Sequence, residues 1–135
     1  MTSPAVELQK AIFATLSGDG ALAALVGGRI FDHAPASVAF PYITFGRTSV
    51  YDWSTASEGG SEQVFTLHVW SRAKGKLEVL SIMDRIRTKL DNAALVLAGH
   101  HLVNLRNEYS EARHVDDLSL HQGLLRFRAV TEPAA

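Results

Sequence analysis

Residues 62–72 read Glu-Gln-Val-Phe-Thr-Leu-His-Val-Trp-Ser-Arg, a run in which Phe65, Leu67 and Val69 alternate with Val64, Thr66, His68 and Trp70. Successive side chains of a strand go to opposite faces, so this alternation predicts a strand with two partly apolar faces. Such a strand belongs at the centre of a sheet, with something packed on its second side as well. After the turn Ala73-Lys74-Gly75 the period changes. Val79, Ile82, Met83, Ile86 and Leu90 fall at i, i+3, i+4, i+7 and i+11, the apolar stripe of a helix over 76–90. The other side of that helix carries Glu78, Ser81, Asp84, Arg85, Thr88 and Lys89. Burying the five apolar side chains contributes about 1.5–3 kcal/mol each before entropy is subtracted, enough to anchor the helix on a sheet.

Outward from this unit the chain is punctuated clearly. Ser3-Pro4 reads as an N-cap followed by proline at the first helical position, and Ala5, Leu8, Ile12, Phe13 and Leu16 continue at helical spacing over 4–17. Ser17-Gly18-Asp19-Gly20 ends that helix, and a short second one over 21–26 stops at Gly27-Gly28. Arg29-Ile30-Phe31-Asp32 predicts a brief strand, 33–41 a loop with two prolines, and Pro41 opens a strand over 42–48. Residues 49–61, rich in Ser, Thr and Gly, predict a mobile hairpin arm or long loop. Beyond the central helix, 91–99 is a connector and 133–135 a frayed tail. Strands at 100–112 and 119–131 are joined by a turn at Val115-Asp116-Asp117. The order α, short α, β, β, β, α, β, β predicts an α+β fold. Its sheet is mostly antiparallel, of about four to five strands, with two main helices packed on one face and an extended hairpin arm or loop.

A chain of 135 residues with 47% apolar and 20% charged residues fits a single domain over 1–135 with an ordinary core. It has no cysteine, which excludes a thiol nucleophile, a disulfide framework and a cysteine zinc site, and suits a reducing compartment. Thirteen basic against 14 acidic residues give a net charge of −1, without the basic excess of a nucleic-acid binder. Glu7, Gln9 and Lys10 interrupt the N-terminal apolar positions, so no signal peptide is expected, and no apolar run approaches the ~20 residues of a membrane span. The expectation is a soluble chain made in the cytoplasm.

The residues that could carry chemistry do not assemble into a reaction. His100-His101, His114 and His121 cluster late in the chain, but adjacent histidines on a strand face opposite ways and no metal-binding helix motif accompanies them. Asp116 and Asp117 fit a turn, where Asp bonds local amides. Asp52, Glu58, Glu62, Glu108 and Glu111 show no spacing that singles out an acid–base pair. The serines lack a nucleophile-elbow setting, and the glycine pairs lack the lysine of a phosphate loop. Catalytic residues, cofactor and metal are therefore each assigned as none, and the chain is read as no enzyme.

Two groups of residues suit surface recognition instead. Arg126 and Arg128 share one face of their strand while Leu125, Phe127 and Ala129 take the core face. They form either a solvated stripe or a row of guanidinium groups meeting carboxylates of a neighbouring subunit. Tyr51, Asp52 and Trp53 sit on the Ser/Gly-rich arm, where an aromatic pair either anchors into a partner or folds back as a local lid. Trp70 closes its strand and by default packs against the central helix.

Several phrases carry a resemblance across nearly the whole chain. These are Leu25-Val26-Gly27-Gly28-Arg29-Ile30-Phe31-Asp32, Ala39-Phe40-Pro41-Tyr42, Tyr51-Asp52-Trp53-Ser54-Thr55, Leu67-His68-Val69-Trp70-Ser71-Arg72-Ala73-Lys74-Gly75 and His121-Gln122-Gly123-Leu124-Leu125-Arg126-Phe127-Arg128-Ala129. In this order they resemble the tail terminator (tail completion) proteins of long-tailed phages and gene transfer agents. The resemblance implies an α+β virion subunit that forms a ring, six-fold, on the head-proximal end of the tail tube. There it would stop tube growth and offer a docking face to the head connector or stopper protein. Its implied partners are itself, the tube protein and the connector, with DNA passing through the ring without sequence-specific binding and no membrane. The alternative from residue chemistry alone is a small soluble ligand-binding or enzymatic α+β domain with a pocket between helix 76–90 and the sheet.

Overall fold

The computed structural model describes residues 2–56 and 59–134. The elements follow in order: α1 (Pro4–Ser17), α2 (Gly20–Val26), β1 (Ile30–Phe31), β2 (Tyr42–Asp52), β3 (Ser61–Ser71), α3 (Leu77–Leu90), β4 (His100–Val115) and β5 (Leu120–Pro133). The five strands form one mixed sheet in the order β1-β2-β3-β5-β4. β1 runs parallel to β2, and every other neighbouring pair is antiparallel. The fold is therefore α+β with a mostly antiparallel sheet, and β3 lies at its centre.

Local chemistry sets the helix ends. The Ser3 hydroxyl accepts from the Val6 amide at 3.3 Å ahead of Pro4, so α1 starts as its sequence predicts. Asp19 caps α2, accepting the Leu22 amide at 3.2 Å, and Gly27 ends it with φ 61°, a left-handed conformation glycine adopts without strain. Asp19 also receives both arms of Arg85 from α3, Nε at 2.6 Å and Nη2 at 2.8 Å, so one carboxylate fixes a helix start and ties it to a second helix.

The core grows from the alternation in β3. Phe65, Leu67 and Val69 are buried and stand opposite Phe127, Leu125 and Gly123 of β5. They join Ile43, Leu105 and Ala129 with Leu8, Ile12 and Leu16 of α1, Leu22 and Val26 of α2, and the full apolar stripe of α3 in one cluster. Gly123 marks a close approach of α3, since a Cβ built there would lie 2.6 Å from Met83 Sδ and 2.9 Å from Val79 Cγ2.

Three expectations change. Residues 49–52 belong to β2, whose pairing with β3 continues to Asp52 and Ser61, so the first part of the expected arm is a paired hairpin and not an open loop. The unpaired row of a hairpin is cheaper to extend than to leave open, because each added pair satisfies backbone groups. Second, β4 and β5 outrun their expected ends because they zip together from His100–Pro133 to Val115–Leu120. Third, Val64, Thr66, His68 and Trp70 on the second face of β3 are half-buried, sheltered by cross-strand side chains instead of by a full second layer.

Hydrogen bonds from Arg85 hold the Asp19 carboxyl down to about 2, against its ordinary value near 3.8. A carboxyl depressed by folding stabilises above its unfolded value, and that contribution disappears as it is protonated in the native state. Stability should thus fall as pH drops from about 4 to about 2, and Asp19→Asn should flatten that limb. Urea denaturation of both chains across this window checks it, and equal acid limbs would refute the assignment.

Candidate assembly interface

The β2–β3 connection is held by a small network. The Trp53 amide donates to the Gly60 carbonyl at 3.2 Å, continuing the ladder past Asp52. One Asp52 carboxylate oxygen accepts from the Ser54 amide at 2.9 Å and from its hydroxyl at 2.6 Å, which holds the Asp52 carboxyl below its usual range. The Gly60 amide donates back to the Ser54 hydroxyl at 3.2 Å. The Trp53 indole lies across Gly60, where an added Cβ would sit 2.6 Å from two ring carbons, so the contact requires glycine. The indole is therefore partly folded back, yet Trp53 remains 47% exposed and Tyr51 56%. Glu58, a candidate carboxylate in the sequence, and Ser57 of the arm lie outside the described residues.

Arg126 and Arg128 project from β5 on the face opposite Phe127, as their alternation requires, and both already have carboxylate partners. Arg128 Nη2 donates to Glu62 at 2.6 Å, and Arg126 Nε donates to Glu108 at 3.0 Å. The Arg126 guanidinium also lies over the Tyr109 ring at 5.0 Å, and the Tyr109 hydroxyl donates to Glu111 at 3.0 Å. Pairs this exposed contribute only about 0–1 kcal/mol, so their value is to order the side chains on an open surface. The register unites part of the candidate set: Tyr51 stands opposite Glu62, and Glu62 reaches Arg128. Asp52, one residue on from Tyr51 along the strand, takes the other face, and Trp53 lies past the strand end.

Trp70 is not against the central helix. Its neighbour Val69 takes the core face, so Trp70 faces the other way, stacks on Tyr42 at 6.2 Å and donates its indole N–H to Thr44 at 3.1 Å. Phe40 meets Tyr42 edge-on at 5.0 Å, and Arg72 lies 4.4 Å over Phe40. This aromatic row is hidden in the sequence because its members come from β3, β2 and the loop before β2, although the spacing His68/Trp70 signals a same-face pair.

The remaining polar residues also serve local structure. His114 pairs with Asp116 at 2.6 Å, and its ring lies 4.9 Å from that of His121. Among the described residues no group of three or more histidines or carboxylates is arranged to hold a metal ion. Among them, too, no helix is long and apolar enough to cross a membrane. Ordered charge, stacked aromatics and a half-exposed indole are what recognition surfaces use.

Residues 10–132 match the family model described as tail completion protein gp17. The chain belongs to this family. It is also similar, with 31% identity and a TM-score of 0.89, to a chain of the virion of a native gene transfer agent particle. That likeness covers 98% of this chain and 99% of the other. No curated protein matches it. As a tail completion protein it has a structural role in the virion tail and works by assembling with other virion proteins, and the family points away from enzymatic turnover.

Proposed function

We infer that this tail completion protein caps the head-proximal end of the tail tube. Residues 1–135 act as one domain, six copies form a ring, and the ring ends tube polymerisation and gives the head-side connector or stopper its docking surface. DNA passes through the ring without base-specific contacts. The likeness to a gene transfer agent virion chain over nearly the full length of both chains carries this reading.

The physical requirement suits the fold. A tube grows by heterologous stacking, each ring offering a face complementary to the last, and continues until a ring with a different outer face is added. A cap needs a rigid body with separate recognition patches. The sheet supplies the body, and the two groups at Tyr51, Asp52, Trp53 and at Arg126, Arg128 supply candidate patches for subunit or tube. The Arg126 and Arg128 guanidinium groups retain further donors for a neighbour's carboxylates beyond those used on Glu108 and Glu62.

Tube protein polymerised with increasing amounts of this chain tests the proposal. Electron microscopy should show tubes that shorten as the ratio rises, with density of the added ring at one end only. Trp53→Ala, or Arg126→Glu with Arg128→Glu, should weaken capping while leaving the circular dichroism spectrum unchanged. Tubes of unaltered length at saturating protein would rule out the capping role.

A further inference from the structure

Between α1 and β2 lies an open groove of about 500 Å3, lined chiefly by Val6, Lys10, Phe13, Asp32, Phe45 and Thr48. Ligand-sized clefts span ~300–1,000 Å3, so this one has room for an aromatic side chain and its neighbours. Core formation does not account for it. α1 buries Leu8, Ile12 and Leu16, whereas Val6 and Phe13 remain 44% and 45% exposed as a second apolar stripe. β1 pairs with β2 only at Ile43 and Thr44, so the strand borders the groove with no β1 partner from Phe45 onward. Contiguous apolar surface of this kind marks a contact site.

The chain also presents a candidate counterpart at the exposed end of the β2–β3 hairpin, level with Pro133 of β5. Val50, Tyr51 and Trp53 are each exposed at the end of the β2–β3 hairpin, Tyr51 on the strand face opposite Val50. Asp52 lies between them, kept ionised by its bonds from Ser54. Lys10, largely exposed, supplies a cation at the groove, and its own partner Glu7, 3.5 Å away, is shared with the Thr2 hydroxyl. We propose that the groove receives the hairpin end of a second copy of this chain, the Trp53 indole seated among Val6, Phe13 and Phe45 and Asp52 paired with Lys10. Knob and groove are different surfaces, so the contact is heterologous: each copy gives its hairpin to one neighbour and its groove to the other, which closes into a ring when the rotation allows. The inference rests on the ring of the capping reading for its biological place, but its test is made in solution.

Phe13→Asp spoils the groove and Trp53→Ala removes the knob, both at half-exposed positions, and thermal melts confirm that each variant folds. In sedimentation velocity the wild-type chain should associate with rising concentration, and each variant alone should associate at least tenfold more weakly. An equimolar mixture should recover dimers and nothing larger, because the Trp53→Ala groove can still take the Phe13→Asp hairpin. A wild-type chain monomeric at millimolar concentration overturns the contact. So does association untouched by either substitution, or a mixture without dimers. If association is unchanged in both variants while tubes are still capped, the contact is wrong and the capping reading stands. If association behaves as expected while tubes stay uncapped, the capping reading is wrong and the contact stands.

Discussion

Phe127→Ala should lower the unfolding free energy by about 3–5 kcal/mol, a large share of the roughly 5–15 kcal/mol that holds a domain of this kind together. Phe127 is fully buried on β5, and its ring stacks on that of Phe65 across the β3–β5 pair, centroids 5.3 Å apart and planes 11° from parallel. Both strands are inner strands of the sheet, so backbone collapse into the vacated space would disturb ladders on either side. The loss should appear as a lower urea midpoint with an unchanged slope, the sign that the native state is weakened without a change in what unfolds. Phe127→Leu, which keeps most of the volume, should lose much less. A Phe127→Ala change of under about 1 kcal/mol would mean the two rings do not form the centre of the core.

The second large effect is steric. Gly123→Leu should destabilise by about 1–3 kcal/mol or more, because α3 packs where the side chain would go. The clash begins at the first carbon, 2.6 Å from Met83 Sδ and 2.9 Å from Val79 Cγ2, and both of those residues are buried. Gly123→Ala is the sharper probe. Met83 can swing its thioether aside at modest cost, so Gly123→Ala should destabilise less than leucine does, and Met83→Ala should relieve it in part. A double-mutant cycle reads this as a favourable coupling between the two substitutions. Strict additivity would place α3 elsewhere.

Both effects arise where β5 packs against β3 and α3, the two elements in which local pattern and tertiary structure agree. The period-two run of β3 and the 3.6-period stripe of α3 each name their buried face: all five stripe residues of α3 are buried, and so are Phe65, Leu67 and Val69 of β3, joined on that face by the polar Gln63 and Ser71. The helix cap at Ser3 is legible for the same reason, since a cap acts over three residues, whereas Asp19 reads in sequence only as part of the stop that ends α1 and in the structure caps α2. What the sequence hid is set by distant neighbours. The lengths of β2, β4 and β5 depend on how far two strands find each other, and turn-like composition at 49–52 is overridden by pairing with 61–64. The hydrophobicity of Trp70 suggests the core, but the parity that Val69 imposes on its strand puts it on the other face. The carboxylates engaging Arg126 and Arg128 lie 18 and 66 residues away, beyond any local signal. Function was legible only through phrases spread along the whole chain and recognised together, because no side-chain constellation in it states a reaction.

Tail length in particles from cells lacking this chain is the most direct measure of its role. With the cap absent, electron micrographs should show tubes of broad and excessive length, unattached to heads, and restoring the wild-type chain should return one length and joined particles. Tails of normal length, joined to heads without it, would contradict the capping role.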